Sequence, residues 1–160
     1  MRVPYFDNAE VEHDEADDEV TDPARAASAL AAFLALTPAD RLADSRHVWA
    51  NYRNVHQTIG GDEWLDPVMG VPAGPAQIWG HVQPRRLAVQ TDYGPDNAHF
   101  IAVSCACDWD EEGGLYLVWR DGARLSKVGC HDGHLTNAPE FDVDVVHASP
   151  DAEFVTRLDS

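Results

Sequence analysis

The side chains best suited to chemistry gather in the last third of the sequence. Cys105 and Cys107 stand one residue apart, and Cys130-His131-Asp132-Gly133-His134 follows further along. Thiolate and imidazole are preferred zinc ligands, so Cys105, Cys107, Cys130, His131 and His134 form a candidate zinc set. Their spacing is not that of a zinc knuckle. On an extended strand the two sulfurs of Cys-x-Cys share a face and spread along it, and buried free cysteine acting as a small hydrophobe is the competing reading. Asp132 could orient His134 as a general acid or base. The same residues read first as a turn, in which Gly133 supplies backbone freedom and Asp132 accepts a forward N–H. No nucleophile elbow, His-Glu-x-x-His pair or phosphate-binding glycine loop accompanies them, so no residue is assigned as catalytic.

Asp108-Trp109-Asp110-Glu111-Glu112-Gly113 matches the first half of a calcium loop, with alternating carboxylates and Gly at the sixth position. The twelfth position is Trp119, where a bidentate Glu is required, and the flanks read as strands. The segment is expected to be an acidic hairpin loop, with calcium as the alternative.

Charge narrows the field of partners. The 160 residues carry a net charge of −17, from 28 Asp and Glu against 11 Lys and Arg. Such an excess repels nucleic-acid phosphates and anionic lipid and attracts a basic partner or cations. Eight carboxylates lie between Glu10 and Asp22 with no Lys or Arg among them. A solvated strand-and-loop segment is the default reading of this run; in the sharper reading Glu10, Glu12, Asp14, Glu15, Asp17, Asp18 and Glu19, with Asp110, Glu111 and Glu112, are the candidate partner-binding groups. No apolar run approaches a membrane span, the N-terminus lacks a signal-peptide core, and an odd count of three cysteines makes no secreted disulfide framework. A cytoplasmic location is expected.

The elements that must position these groups can be read from caps and period. Val3-Pro4-Tyr5-Phe6 suggests an edge strand or extended arm, and residues 1–21 an acidic N-terminal segment. Asp22-Pro23 opens a helix, with Ala26, Leu30, Phe33 and Leu34 on one face. Thr37-Pro38-Ala39-Asp40 opens a second, expected to bury Leu42, Trp49, Tyr52, Val55 and Ile59 before Gly60-Gly61 ends it. A Gly- and Pro-rich loop follows, with Trp64 and Leu65 as anchors. The period then becomes two, and strands are expected at Gln77–Val82, Arg86–Thr91, His99–Asp108, Leu115–Arg120 and Arg124–Cys130. Asp121-Gly122 marks a tight hairpin. Val143–Val146 and Phe154–Arg157 suggest a short terminal element within a 138–160 extension. The expected fold is one α+β domain, an N-terminal helical pair (22–60) packed on an antiparallel β-meander (76–137).

Trp109-x-x-Glu112-x-Gly114-Leu115-x-x-x-Trp119-x-x-Gly122-x-x-Leu125-x-x-Val128, followed by Asp132-Gly133-His134-Leu135-Thr136, resembles an uncharacterised bacterial domain family. Its members carry Trp-x-x-Glu-His-Gly-Leu and then Asp-Gly-His-Leu-Thr, and Tyr52-Arg53 and Ile78-Trp79-x-His81-Val82 are also similar. The resemblance spans Val48 to Asn137 and implies an association with bacterial immunity-protein and toxin neighbourhoods; it implies no activity. Where the family pattern has His, this chain has Gly113, which weakens any pairing with His134.

The leading expectation is therefore a non-enzymatic acidic binding protein of the immunity or antitoxin type, with a basic partner and no cofactor. A metal-binding module or metal-dependent enzyme built on the Cys/His set is the alternative. A subunit that pairs through an exposed sheet edge is a third.

Overall fold

The computed structural model describes residues 1–60, 72–92, 96–137, 144–149 and 152–158. Its centre is a five-stranded sheet in the order β3-β4-β5-β6-β7, from Glu12–His13, Val82–Thr91, His99–Cys107, Leu115–Arg120 and Arg124–Gly129. Strands β4 to β7 form the expected antiparallel meander, and β3 joins β4 in parallel. Helices α1 (Pro23–Leu34) and α2 (Pro38–Thr58) lie on one face. Short strands β8 (Val145–Ala148) and β9 (Val155–Arg157) form a separate antiparallel pair. The fold is α+β, with N-terminal helices packed on a sheet. The loop anchors Trp64 and Leu65 lie outside the described residues.

Local chemistry explains the helix ends. The Asp22 carboxylate accepts from the Ala24 and Arg25 N–H groups, at 3.0 and 3.2 Å. Those donors have no partner inside the helix. Asp40 accepts from the Thr37 N–H at 2.8 Å, reaching back as a capping-box residue does. Gly60, at φ 95°, follows the end of α2 in the left-handed region.

Three expectations need correction. Val3–Phe6 is not one strand. Arg2–Val3 (β1) pairs with Ala9–Glu10 (β2), while Pro4–Phe6 makes a 3-10 turn that puts both Tyr5 and Phe6 into the core. Pro4 favours that turn by fixing its own φ and lacking an N–H for a ladder. Likewise Gln77–Val82 is not a strand. Pro75–His81 is a 3-10 segment that buries the adjacent Ile78 and Trp79 together, which strand alternation could not do. Strand β4 then runs unbroken from Val82 through Pro84, with a bulge between Pro84 and Arg86 that tolerates the missing N–H.

The third correction concerns α2. Leu42 is 59% exposed, and Trp49, Val55 and Ile59 are only partly buried. The buried face is instead Ser45, His47, Val48, Ala50, Asn51 and Tyr52. Its polar members have partners: the Trp79 indole donates to Ser45 Oγ at 2.8 Å, and the Trp109 indole to Asn51 Oδ1 at 3.0 Å. His47 Nδ1 lies 2.7 Å from the Thr156 hydroxyl. Side-chain hydrogen bonds thus join α2 to the 3-10 segment, the β5–β6 loop and β9, and buried indoles need such partners. The apolar centre is aromatic, with Trp119 in ring contact with Tyr5 at 5.1 Å and with Phe33 at 4.7 Å.

The β6–β7 hairpin fixes how closely α1 can approach. Asp121 and Gly122 both have positive φ, 51° and 74°, and the Ala123 N–H bonds the Arg120 carbonyl, giving the turn that Asp-Gly favours. A Cβ on Gly122 would lie 1.8 Å from the Ala29 carbonyl oxygen. Gly122→Ala should therefore cost more than about 3 kcal/mol, because helix and hairpin backbones must separate. Gly133, at φ 84° with no atom within 4 Å of such a Cβ, has only the backbone cost. Gly133→Ala should lose about 1 kcal/mol in urea unfolding.

Two groups on α2 should oppose each other in acid. Burial pushes the Asp44 carboxyl, which accepts from the Tyr5 hydroxyl at 2.9 Å, up to about 6. Burial, with Arg46 and His147 nearby, lowers His47 to about 4. A raised carboxyl contributes stability as pH falls through its folded value, and a lowered imidazole removes it as pH falls from its unfolded value. The advantage of Asp44→Asn over wild type should thus shrink from pH 7.5 to pH 4.5, and that of His47→Gln should grow. Both follow from chemical denaturation at each pH.

Candidate functional site

The acidic N-terminal segment is stitched along the edge of β4. The Asp14 N–H donates to the Leu87 carbonyl and the Glu19 N–H to that of Val89, both at 2.9 Å. The Val89 N–H donates to Asp18 Oδ1 at 2.6 Å, Gln90 Nε2 donates to the Asp17 carbonyl at 3.0 Å, and the Thr91 hydroxyl donates to the Glu19 carbonyl. An edge that would otherwise present open N–H and C=O groups is covered.

This stitching divides the predicted partner-binding carboxylates. Glu10 meets the N-terminal ammonium at 3.0 Å, and Asp18 meets His13 Nε2 at 3.0 Å. Arg86 lies 3.4 Å from Asp14 and 3.8 Å from Glu12. Glu15, Asp17 and Glu19 are exposed and make no ion pair among the described residues. Asp110, Glu111 and Glu112 lie elsewhere, in the β5–β6 loop beyond the Val82–Cys107 end of the β4–β5 ladder, whereas the segment follows β4 from Arg86 towards Thr91. In that loop Asp110 Oδ1 accepts from the Gly113 N–H at 2.8 Å. A Cβ at position 113 would fall 2.5 Å from the Asp110 carboxylate, so Gly113 fits the turn this chain uses.

The candidate zinc donors are not brought together. Cys105 and Cys107 are buried on the helix-facing side of β5, while Cys130 is exposed after β7. His131 stacks on Tyr116 on the opposite face of the sheet, at 4.4 Å between centroids and 12° between planes. Burial pushes the Cys107 thiol up to about 12 and raises Cys105 as well. The thiolate is the form that binds metal or attacks, so these two are inert core residues. Among the described residues no three His, Cys, Asp or Glu side chains are grouped to hold a metal.

Asp132-Gly133-His134 turns back over the outer face of the sheet. One carboxylate oxygen of Asp132 accepts from the His134 N–H at 3.0 Å and also from Lys127 Nζ. Lys127, the only lysine in the chain, is 1% exposed, and its ammonium also donates to the His134 carbonyl at 3.1 Å. Partial burial pushes the Asp132 carboxyl up, but the bonds from Lys127 and the His134 N–H together outweigh it and leave the group below its ordinary value. Asp132 thus holds the backbone of His134, whose side chain is exposed. Ser126, the extra residue of a bulge in β7, donates to the Leu135 carbonyl at 3.0 Å, and Leu135 packs on Phe100, Ala102 and Val118. Sequence inspection misses Lys127 in this role. Its signal is slight: a lysine between Ser126 and Val128, away from the strand end that Arg124 occupies.

The turn and the acidic segment meet at a cavity of about 170 Å3 on this outer face. Ala88, Ala102 and Ser104 floor it; Tyr116 and His131 form one wall, and Asp14, Asp17 and Arg86 the other. Burial, with smaller contributions from Asp132 and Asp17, pushes the Tyr116 hydroxyl up to about 12 and keeps it protonated.

A family model described as "Domain of unknown function (DUF6985)" matches residues 1–135. The chain belongs to that family. The match begins with the acidic segment and ends at Leu135, so both parts of the cavity wall lie within the DUF6985 domain. No curated protein and no solved structure matches the chain. Among the described residues no helix is long and apolar enough to cross a membrane.

Asp132→Ala strands a buried ammonium and should cost about 2 kcal/mol, less than a fully buried pair because Asp132 is 41% exposed. Lys127→Met, which replaces the charge with apolar volume, should cost less. The double variant should resemble Lys127→Met alone in urea unfolding, because the two changes remove one interaction.

Proposed function

We propose that this chain is a non-enzymatic binding protein that captures a basic protein partner, in the manner of bacterial immunity or antitoxin proteins. The observation that carries the reading is the acidic segment bound to the edge of β4. It presents Glu15, Asp17 and Glu19 to solvent on a backbone hydrogen-bonded to β4, in a chain of net charge −17. Carboxylates fixed in place lose little freedom when a cation arrives, and a field of one sign accelerates encounter. The immunity-type partner is inferred from the family resemblance of the Trp109–Val128 and Asp132–Thr136 motifs.

Binding to the product of an adjacent reading frame tests this reading. Glu15→Gln/Asp17→Asn/Glu19→Gln should slow association at least about tenfold and flatten its salt dependence while leaving the fold intact. No complex, or one indifferent to these changes, would count against the proposal.

A further inference from the structure

We propose that the cavity over Ala88 and Ala102 receives one arginine side chain of the basic partner. The inference rests on the binding reading above and specifies where that partner is anchored. Three observations support it, starting with shape. Small side chains floor the hollow between two built walls, and its 170 Å3 suits a single side-chain end more than a cofactor.

The second observation is an unused polar group. Tyr116 is 5% exposed and lines the cavity, yet its hydroxyl makes no hydrogen bond among the described residues. Lys127 sits 5.9 Å from its ring centroid and His131 is stacked on the ring, so the hydroxyl is the part of Tyr116 left to recognise a ligand. The Oη atom is not among the buried atoms without a partner, so water reaches it, and a ligand seated in the cavity would exchange that water for its own hydrogen bond.

The third is the sign and spread of the acceptors. Asp17 has no ion pair among the described residues, whereas the Arg86 charge is already opposed by Asp14 and Glu12. Asp17, Ser104 and Tyr116 all line the cavity, and each carries a side-chain oxygen able to accept. A guanidinium carries five N–H donors in a planar fork and suits such an arrangement better than the compact lysine ammonium.

The test is an NMR titration of the full chain with N-acetyl-arginine amide, followed by binding of an alternating Arg-Ser peptide. Saturable amide shifts centred on Ser104 and Tyr116 are expected, with a weaker response to N-acetyl-lysine amide. Ala88→Leu, which fills the hollow, should weaken both arginine probes about tenfold or more. Tyr116→Phe, which keeps the stacked ring, should weaken them about fivefold. Glu111→Gln/Glu112→Gln should leave the cavity shifts unchanged. Circular dichroism and Tm check that the variants fold, and the two cavity variants act through different groups.

Shifts scattered over the acidic surface, or a response unaltered by Ala88→Leu and Tyr116→Phe, would overturn the cavity assignment. Equal binding of the Arg-Ser peptide by wild type and Ala88→Leu would do the same while leaving the acidic-surface reading in place. Failure of wild type to bind either arginine probe would count against both.

Discussion

A lysine ammonium carried into a sheet that is covered on both faces must find an anion or lose its charge. Lys127 is in that position, and Asp132 supplies the anion from the turn that follows β7. The pairing draws the turn across the outer face. Asp132 then fixes the His134 N–H, Lys127 fixes the His134 carbonyl, and Leu135 reaches the Phe100–Val118 cluster. His131 is left flat against Tyr116, where it becomes one wall of the cavity. An electrostatic requirement inside the fold thus gives shape to the surface outside it.

The opposite wall arises from a different constraint. The β4 edge would leave backbone donors and acceptors open, and the acidic segment satisfies them through its main chain and through Asp18. Carboxylates that would repel one another in a free tail are held in register with β4, and several acquire cationic partners there. Those without one are directed to solvent. Coverage of an edge and display of negative charge are thus two consequences of the same hydrogen bonds.

Much of this fold is legible in the sequence because it is written locally. Asp22-Pro23, Thr37-Pro38-Ala39-Asp40 and Gly60 mark helix ends through contacts a few residues long. The alternation Ile101, Val103, Cys105, Cys107 gives the inner face of β5, and Asp121-Gly122 sets the β6–β7 turn through its backbone angles. The parts not legible depend on distant partners. Ser45 and Asn51 look like exposed positions of α2 until the indoles of Trp79 and Trp109 are placed against them. Leu42 looks like core because helical period records which residues share a face but not which face is buried. The Cys and His residues match zinc chemistry by type along the chain, yet the sheet lies between the two cysteines of β5 and His131.

The central claim is that the Lys127–Asp132 pair holds the turn on the sheet and so builds the site. Amide hydrogen exchange at His134 tests it most directly. The His134 N–H should be protected in the wild-type chain and exchange fast in Lys127→Met, while the Leu117 and Val118 ladder amides stay protected. Fast exchange at His134 in the wild type, or unchanged protection in Lys127→Met, would mean that the Lys127–Asp132 pair does not hold the turn.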